Sequence, residues 1–487
     1  MKKTIVPAVI FLVVLMVPII LLMKGNDRHF VYTLDDPYIH LALSENVAGG
    51  HYGINQNEFT APSSSVLWPF LLVPFSVFSS AYLAPLLMNT IFALFTVFLL
   101  NRFFGTGGLF LTIASIFAFN LVGLVLTGME HSLQLLLVTV IAIGASEFSK
   151  NRRISPWFAV SLVAAPLVRY ECLAVSLPVL AFLFAAGERK KALQLFAVLV
   201  VLLGAFSLFL VHLGLNPMPA SVNAKSAVVS DSGSLVSILG NLVDSVKSFR
   251  GMVQLLILVP FVFVLFSGRR SRIEKLLAGA AVASVVLHLV VGRSGWFHRY
   301  GVYVWVFSIL ISFQLYRNYA YRYRIPVVLL LLLFSADYLS GYTKIAYASG
   351  NIYQQQYQMR RFVHQWLNKP VAVNDLGLVS MGYDEYVLDL WGLATPAALD
   401  GAFDSVWVDS AARANGVNTA IVYRDEISGI QHWTHVARME ISPPLVVCVS
   451  GGVDFLAAPW VSPDPLRTEL HDFSSTLPEG IEIVIFR

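Results

Sequence analysis

The chain has 487 residues, of which 57% are hydrophobic and 13% charged, and its formal net charge is +4; its mean hydropathy is +0.70. A soluble domain carries roughly twice that share of charged residues, so a soluble globule is excluded, and the small positive balance gives no reason to expect nucleic-acid binding. The two cysteines, Cys172 and Cys448, supply neither a disulfide framework nor a zinc spacing.

The apolar residues come in blocks, and about 20 of them span a bilayer core as a helix. Residues 5–23 form the first such block. It follows Met1-Lys2-Lys3, lacks a small-residue cleavage site and ends at Lys24, which predicts an uncleaved first helix. Residues 192–213 and 327–338 are similarly poor in charge. Basic clusters at Lys2-Lys3, 150–153, 188–191, 269–275 and 317–324 mark cytoplasmic loops, because short Lys/Arg-rich loops stay inside. Residues 24–65, the turn Arg169-Tyr170-Glu171, residues 214–250, residues 292–299 and everything after about 343 are then expected outside. Between them, residues 66–146 must cross an odd number of times, yet they hold four apolar blocks, 66–79, 81–100, 108–126 and 131–146. One block is therefore expected to be re-entrant or too short, and residues 1–342 are expected to form a polytopic α-helical membrane domain with 11 to 13 helices.

Residues 343–487 are more polar. Strand-like runs at 371–373, 386–390, 419–423, 445–449 and 481–486, with helical pattern at 354–366, predict a C-terminal extracytoplasmic α/β domain. No Gly-rich phosphate loop follows any strand, and no internal repeat is visible.

Polar chemistry concentrates in the first outer loop, Tyr32-Thr33-Leu34-Asp35-Asp36-Pro37-Tyr38-Ile39-His40. One reading makes Asp36 the cap of a helix that begins at Pro37. Another makes the two aspartates reactive groups, since a large polar loop with its own short helix at 42–48 exceeds what a connector needs. Asp35-Asp36-Pro37-Tyr38-Ile39, Asn46-Val47-Ala48-Gly49-Gly50 and Ala61-Pro62-Ser63-Ser64-Ser65-Val66-Leu67-Trp68 together resemble the first-loop signature of GT-C glycosyltransferases, with bacterial polyprenyl-phosphate-dependent members such as the mycobacterial arabinofuranosyltransferases most similar. Further pieces of the resemblance follow in order: Thr127-Gly128-Met129-Glu130, Val168-Arg169-Tyr170-Glu171, Pro217-Met218-Pro219, Asn223-Ala224-Lys225, His298-Arg299-Tyr300, Val373-Asn374-Asp375-Leu376-Gly377 and Leu388-Asp389-Leu390-Trp391-Gly392-Leu393.

The resemblance implies an inverting transfer of a sugar from a polyprenyl-phosphate donor to a cell-envelope glycan or lipid acceptor, at the outer face of a bacterial cytoplasmic membrane. It also implies that Asp35 or Asp36 is the base, with Asp35 favoured and Asp36 left to cap the helix or hold a metal. Transfer from a lipid phosphate needs a carboxylate for the acceptor hydroxyl and cations for the departing phosphate. Lys225, Arg293, His298 and Arg299 are the candidates for the second task, although interfacial snorkelling would also explain Arg293 and Arg299. Tyr38, Glu130, His131, Arg169 and Glu171 are candidates for the substrate cavity, and structural ion pairing is the other explanation for the charged ones. Asp36, His40 and His51 are the candidates to hold a divalent ion. In the C-terminal domain, Asp375, Asp384, Glu385, Asp389 and Trp391 stand near strand ends. A transporter or flippase of lipid-linked sugars, or a noncatalytic assembly subunit, are the competing readings; the missing repeat and the charges gathered at the outer edge favour an enzyme.

Overall fold

A computed structural model describes residues 2–105, 108–225, 235–293, 297 and 299–486. It is mostly helical, with a sheet confined to the C-terminal part. Among the described residues, six helices can cross a membrane by length and composition: Ile5–Gly25, Ala81–Phe104, His131–Asn151, Arg189–His212, Phe249–Phe266 and Arg272–Val291. Arg324–Leu333 and Ala336–Leu367, bent by 57°, make a seventh when counted together. Four shorter apolar helices accompany them, Leu109–Ala118, Pro156–Val168, Tyr170–Ala185 and Val302–Leu315. At a rise of about 1.5 Å per residue, none of the four alone reaches the roughly 30 Å of a bilayer core. The expected 11 to 13 is thus not met by helices of spanning length; seven plus four gives eleven only if the short helices also cross.

Side-chain contacts sort the loops to two ends of this bundle. Arg152 donates to the carbonyl of Ala186, Arg272 to Ala185, Arg270 to Leu315 and Arg317 to Phe103. Four of the five basic clusters therefore meet at one end, as charge segregation requires. At the other end, the Thr33 N–H donates to Leu126 and the Tyr32 hydroxyl to Tyr82. These contacts resolve residues 66–146. The block 66–79 breaks into Trp68–Leu72 and Val73–Phe75, each with a proline near its start, and stays beside the first loop, where the Val66 N–H donates to Leu167. The block 108–126 breaks at Asn120, whose φ is 51°, into Leu109–Ala118 and Leu121–Leu126. Three passages remain, an odd number.

The C-terminal strands are β1 (Val371–Val373), β2 (Val387–Asp389), β3 (Thr419–Val422), β4 (Thr434–Glu440), β5 (Gly452–Ala457) and β6 (Glu482–Ile485). Their order is β2-β1-β3-β5-β4-β6, with β1 parallel to β2 and β3 and the remaining pairs antiparallel. Four of the five expected runs form strands. The run 445–449 does not, following Pro443 and Pro444, which offer no N–H to a ladder; β4 and β5, neither of them expected, lie inside the sheet between β3 and β6.

Alternation along β1 explains how the sheet is held. Val371 and Val373 share a core with Phe362, Ile421 and Phe455, whereas Ala372 points to the opposite core with Leu388, Val408 and Leu456. The first of these cores also contains Ile39, Ala42 and Leu43 of the helix α2 (Asp36–Ala48). Burying each such side chain contributes about 1.5–3 kcal/mol, so the first loop is a packing layer of the C-terminal sheet. The helix Ala336–Ile352 runs on through π-helical and α-helical turns to Leu367, and the expected boundary at 342/343 falls inside it. A continuous helix and a shared core thus couple the membrane-edge loop to the sheet.

Candidate functional site

A cavity of about 610 Å³ lies where the first loop, the residues Arg293, Arg299 and Tyr300 and the C-terminal domain meet. Asp35, Asp36, Asp375, Arg293 and Arg299 all line it. The two aspartates of the first loop have different surroundings. Asp35 occupies the N-cap position of α2 but makes no capping bond to it. Its carboxylate instead accepts from the backbone N–H groups of Gly377, at 2.7 Å, and Leu378, at 2.9 Å. Glycine is required there, because a Cβ on residue 377 would overlap the Asp35 carbonyl oxygen and lie 2.6 Å from Oδ2. Asp36, expected as a possible cap, is the first helical residue, and its Oδ2 pairs with Nη1 of Arg299 at 2.8 Å. The Arg299 guanidinium is itself buried, stands over the Tyr300 ring and donates to its hydroxyl at 3.1 Å.

Asp375 enters from the end of β1. Its Oδ2 accepts from Gln356 at 2.7 Å and from the Tyr423 hydroxyl at 2.6 Å. Gln356 sits in the π-helical turn Tyr353–Tyr357, and such turns are frequent at functional sites because they displace side chains from the helical register. Gln356 and Tyr423 were not singled out from sequence. The available signal was Gln354-Gln355-Gln356, a polar run on a helix that otherwise packs on a core.

Burial pushes the carboxyls of both Asp35 and Asp375 above the usual carboxylate range; the charge of Asp375 adds to the shift at Asp35, and that of Asp36 adds to the shift at Asp375. A carboxyl raised in the folded state stabilises the fold at low pH and loses that contribution as pH climbs through its folded value. The melting temperature is therefore expected to fall from mildly acidic to alkaline pH, and Asp375→Asn to flatten that slope by removing one of the crowded charges. Parallel slopes for wild type and variant in thermal melts across this range would refute the coupling.

A second cavity, of about 340 Å³, shares Arg293 and Tyr300 with the first and extends along Leu177, Leu287 and Val291 of two apolar helices. Arg169 and Glu171 line it and pair with each other at 3.0 Å, while Arg169 also holds the fully buried Glu130 at 2.7 Å. Ionisable groups at such depth are costly unless paired or functional; Arg169 and Glu171 are both paired and cavity-lining. Arg293, which borders both cavities, is exposed and has no ion-pair partner among the described residues.

The other expected site residues lie elsewhere. Tyr38 lines neither cavity; it is buried against Tyr32, and its hydroxyl accepts the Tyr32 N–H at 3.1 Å. Glu130 and His131 also line neither. Glu130 is the hub of the pairs with Arg169 and, at 3.6 Å, His40, and the buried His131 ring lies edge-on to Tyr300 without a hydrogen-bond partner among the described residues. Asp36, His40 and His51 do not converge: His40 contacts Ser63 and Glu130, and His51 the carbonyls of Asn55 and Glu58. Among the described residues, no group of three or more His, Cys, Asp or Glu side chains is arranged to hold a metal ion. His298 and the side chain of Lys225 lie outside the described residues.

Residues 350–462 match a family described as a domain of unknown function (DUF8728). That segment takes in Gln356, Asp375, Tyr423 and the apolar face of the cavity. No curated protein matches the chain.

Proposed function

We propose that this protein is a membrane glycosyltransferase of the GT-C type, which moves a sugar from a polyprenyl-phosphate-linked donor to a cell-envelope glycan or lipid at the outer face of a bacterial cytoplasmic membrane. The observation that carries this reading is a cavity lined by both carboxylates and arginines, next to a second cavity that shares Arg293 and Tyr300 with it and borders apolar helices. A lipid phosphate needs that combination: an apolar slot for its chain, cations for its phosphate and a proton acceptor beyond it.

In the reaction, the acceptor hydroxyl oxygen forms a bond to the anomeric carbon as the bond from that carbon to the phosphate oxygen breaks. The hydroxyl proton passes to a carboxylate, and polyprenyl phosphate leaves with the electron pair. Of the first-loop aspartates, Asp36 is assigned the proton acceptor's role because it lines the cavity beside Arg293 and Arg299, and Asp35, held by the backbone N–H groups of Gly377 and Leu378, is assigned a structural one. The ion pair of Asp36 with Arg299 at 2.8 Å holds it in place beside the cavity. Arg293 and Arg299 stabilise the charge that develops on the departing phosphate, an electrostatic contribution from cations placed in advance. Inversion at the anomeric carbon is the expectation of the family.

The test is transfer of radiolabelled sugar from a panel of polyprenyl-phosphate donors to membrane extracts by the purified protein in nanodiscs. Transfer with at least one donor is expected, and Arg293→Gln is expected to raise the donor KM roughly ten- to hundredfold, the worth of one charge-assisted contact. Failure of every donor sinks the transferase reading; an unchanged donor KM removes Arg293 from it.

A further inference from the structure

Besides the charged floor of Asp36, Asp375, Arg293 and Arg299, the first cavity has an apolar wall, and part of it is open. Trp391, Leu399, Phe403, Val447 and Val449 of the C-terminal domain line this wall. Phe403 is 60% exposed and Val449 47%. The apolar surface continues along the chain at Val406, 75% exposed, and Leu445, 48% exposed. Isolated exposed apolar residues are ordinary, but a cluster continuous with a cavity marks a binding surface.

The chemistry of this wall selects among occupants. A free glycan carries a hydroxyl or ring oxygen on nearly every carbon, and each one buried without a partner costs free energy. Trp391 offers a platform for one sugar ring, but Leu399, Phe403, Val447 and Val449 offer no hydrogen bond from their side chains. A hydrocarbon chain loses nothing there and gains from leaving water. The donor chain already has a place in the second cavity, along Leu177, Leu287 and Val291, which leaves the C-terminal wall for the other substrate.

We propose that the acceptor is a lipid: its hydroxyl-bearing headgroup reaches the floor at Asp36 and Asp375, and its hydrocarbon chain lies over Leu399, Phe403, Val447 and Val449. This rests on the transferase reading of the same cavity, and it narrows the acceptor from an envelope glycan or lipid to an amphipathic lipid. The C-terminal domain then serves as the acceptor-selecting wall.

Two measurements test it. In the first, wild-type protein in nanodiscs receives radiolabelled donor with either solvent-extracted lipids or delipidated glycans from bacterial membranes. Label is expected in the lipid fraction, and Phe403→Gln/Val449→Gln is expected to raise the lipid-acceptor KM roughly tenfold while kcat and the donor KM hold. Label confined to delipidated glycan, or an unchanged acceptor KM, overturns the lipid inference and leaves the transferase reading standing. In the second, a dialkylglyceryl glucoside with a diazirine at the end of one chain is photo-crosslinked to the full-length protein. Crosslinks are expected in residues 391–403 and 447–449, reduced in the double variant. This readout is independent of turnover: if no donor supports transfer but these crosslinks form, the transferase reading falls and the lipid site stands, whereas their absence overturns the lipid site whatever the transfer assay shows.

Discussion

Asp36→Asn is expected, on the proposed transferase reading, to lower the turnover of sugar transfer about 10²–10⁴-fold, the usual contribution of a positioned proton acceptor. The amide cannot take the acceptor proton, while its shape preserves the packing at the start of α2. The same change removes the anion from beside Arg299, a buried guanidinium, and losing one partner of a buried pair costs about 3–5 kcal/mol. Activity and stability are therefore both expected to fall, and they need to be separated. The double variant Asp36→Asn/Arg299→Gln leaves no uncompensated charge, so it is expected to recover thermal stability and remain inactive. Turnover of Asp36→Asn within a factor of about ten of wild type, in protein shown to be folded, would mean that Asp36 is not the base.

Gly377→Ala is expected to separate the first loop from the C-terminal domain. A methyl group at 377 overlaps the Asp35 carbonyl oxygen, and neither backbone yields without breaking the bonds from Gly377 and Leu378 to the Asp35 carboxylate. Leaving a buried hydrogen-bonding group without its partner costs about 1–3 kcal/mol, so losing both bonds costs about 2–6 kcal/mol of docking. Hydrogen-exchange protection across residues 374–381 is expected to fall by about 10²–10⁴-fold, with the cavity opening as a consequence. Asp35→Ala removes the same bonds from the other side and is expected to be non-additive with Gly377→Ala. Wild-type exchange rates at 374–381 in both variants would show that the tether does not hold the two parts together. The role this gives Asp35 is architectural: it ties the start of α2 to Gly377 and Leu378, and a loss of transfer in its variants would follow from a loosened tie.

The two arginine-containing cavities also show why the first loop is conformationally crowded. Gly128, at a φ of 69°, lets the chain turn where a Cβ would meet Tyr32 and Pro37, so the Thr127-Gly128-Met129-Glu130 segment fits under the start of α2 and delivers Glu130 to Arg169. The ionisable groups at this level thus form two sets. Glu130, His40, Arg169 and Glu171 hold the scaffold together, and Asp36, Asp375, Arg293 and Arg299 face the larger cavity.

The sequence by itself determined the features that depend on local pattern. Long charge-poor runs dictate helices, because hydrocarbon burial demands internally satisfied backbone; the basic clusters dictate which loops share an end; and alternation with β-branched residues marks β1, β2, β3 and β6. It also exposed Asp35, Asp36, Arg299 and Asp375 as polar residues in unusual places. What it left open was decided by packing between segments far apart in the chain. Asp36 meets Arg299 across 263 residues and Asp35 meets Gly377 across 342, and no local periodicity encodes such a meeting. For the same reason Tyr38, one residue beyond Pro37, turned out to be core rather than cavity: the first turn of α2 carries Asp36 toward Arg299 and Tyr38 toward Tyr32. Side-chain direction on a helix follows from its geometry, but which direction is cavity and which is core depends on what the rest of the chain packs against it.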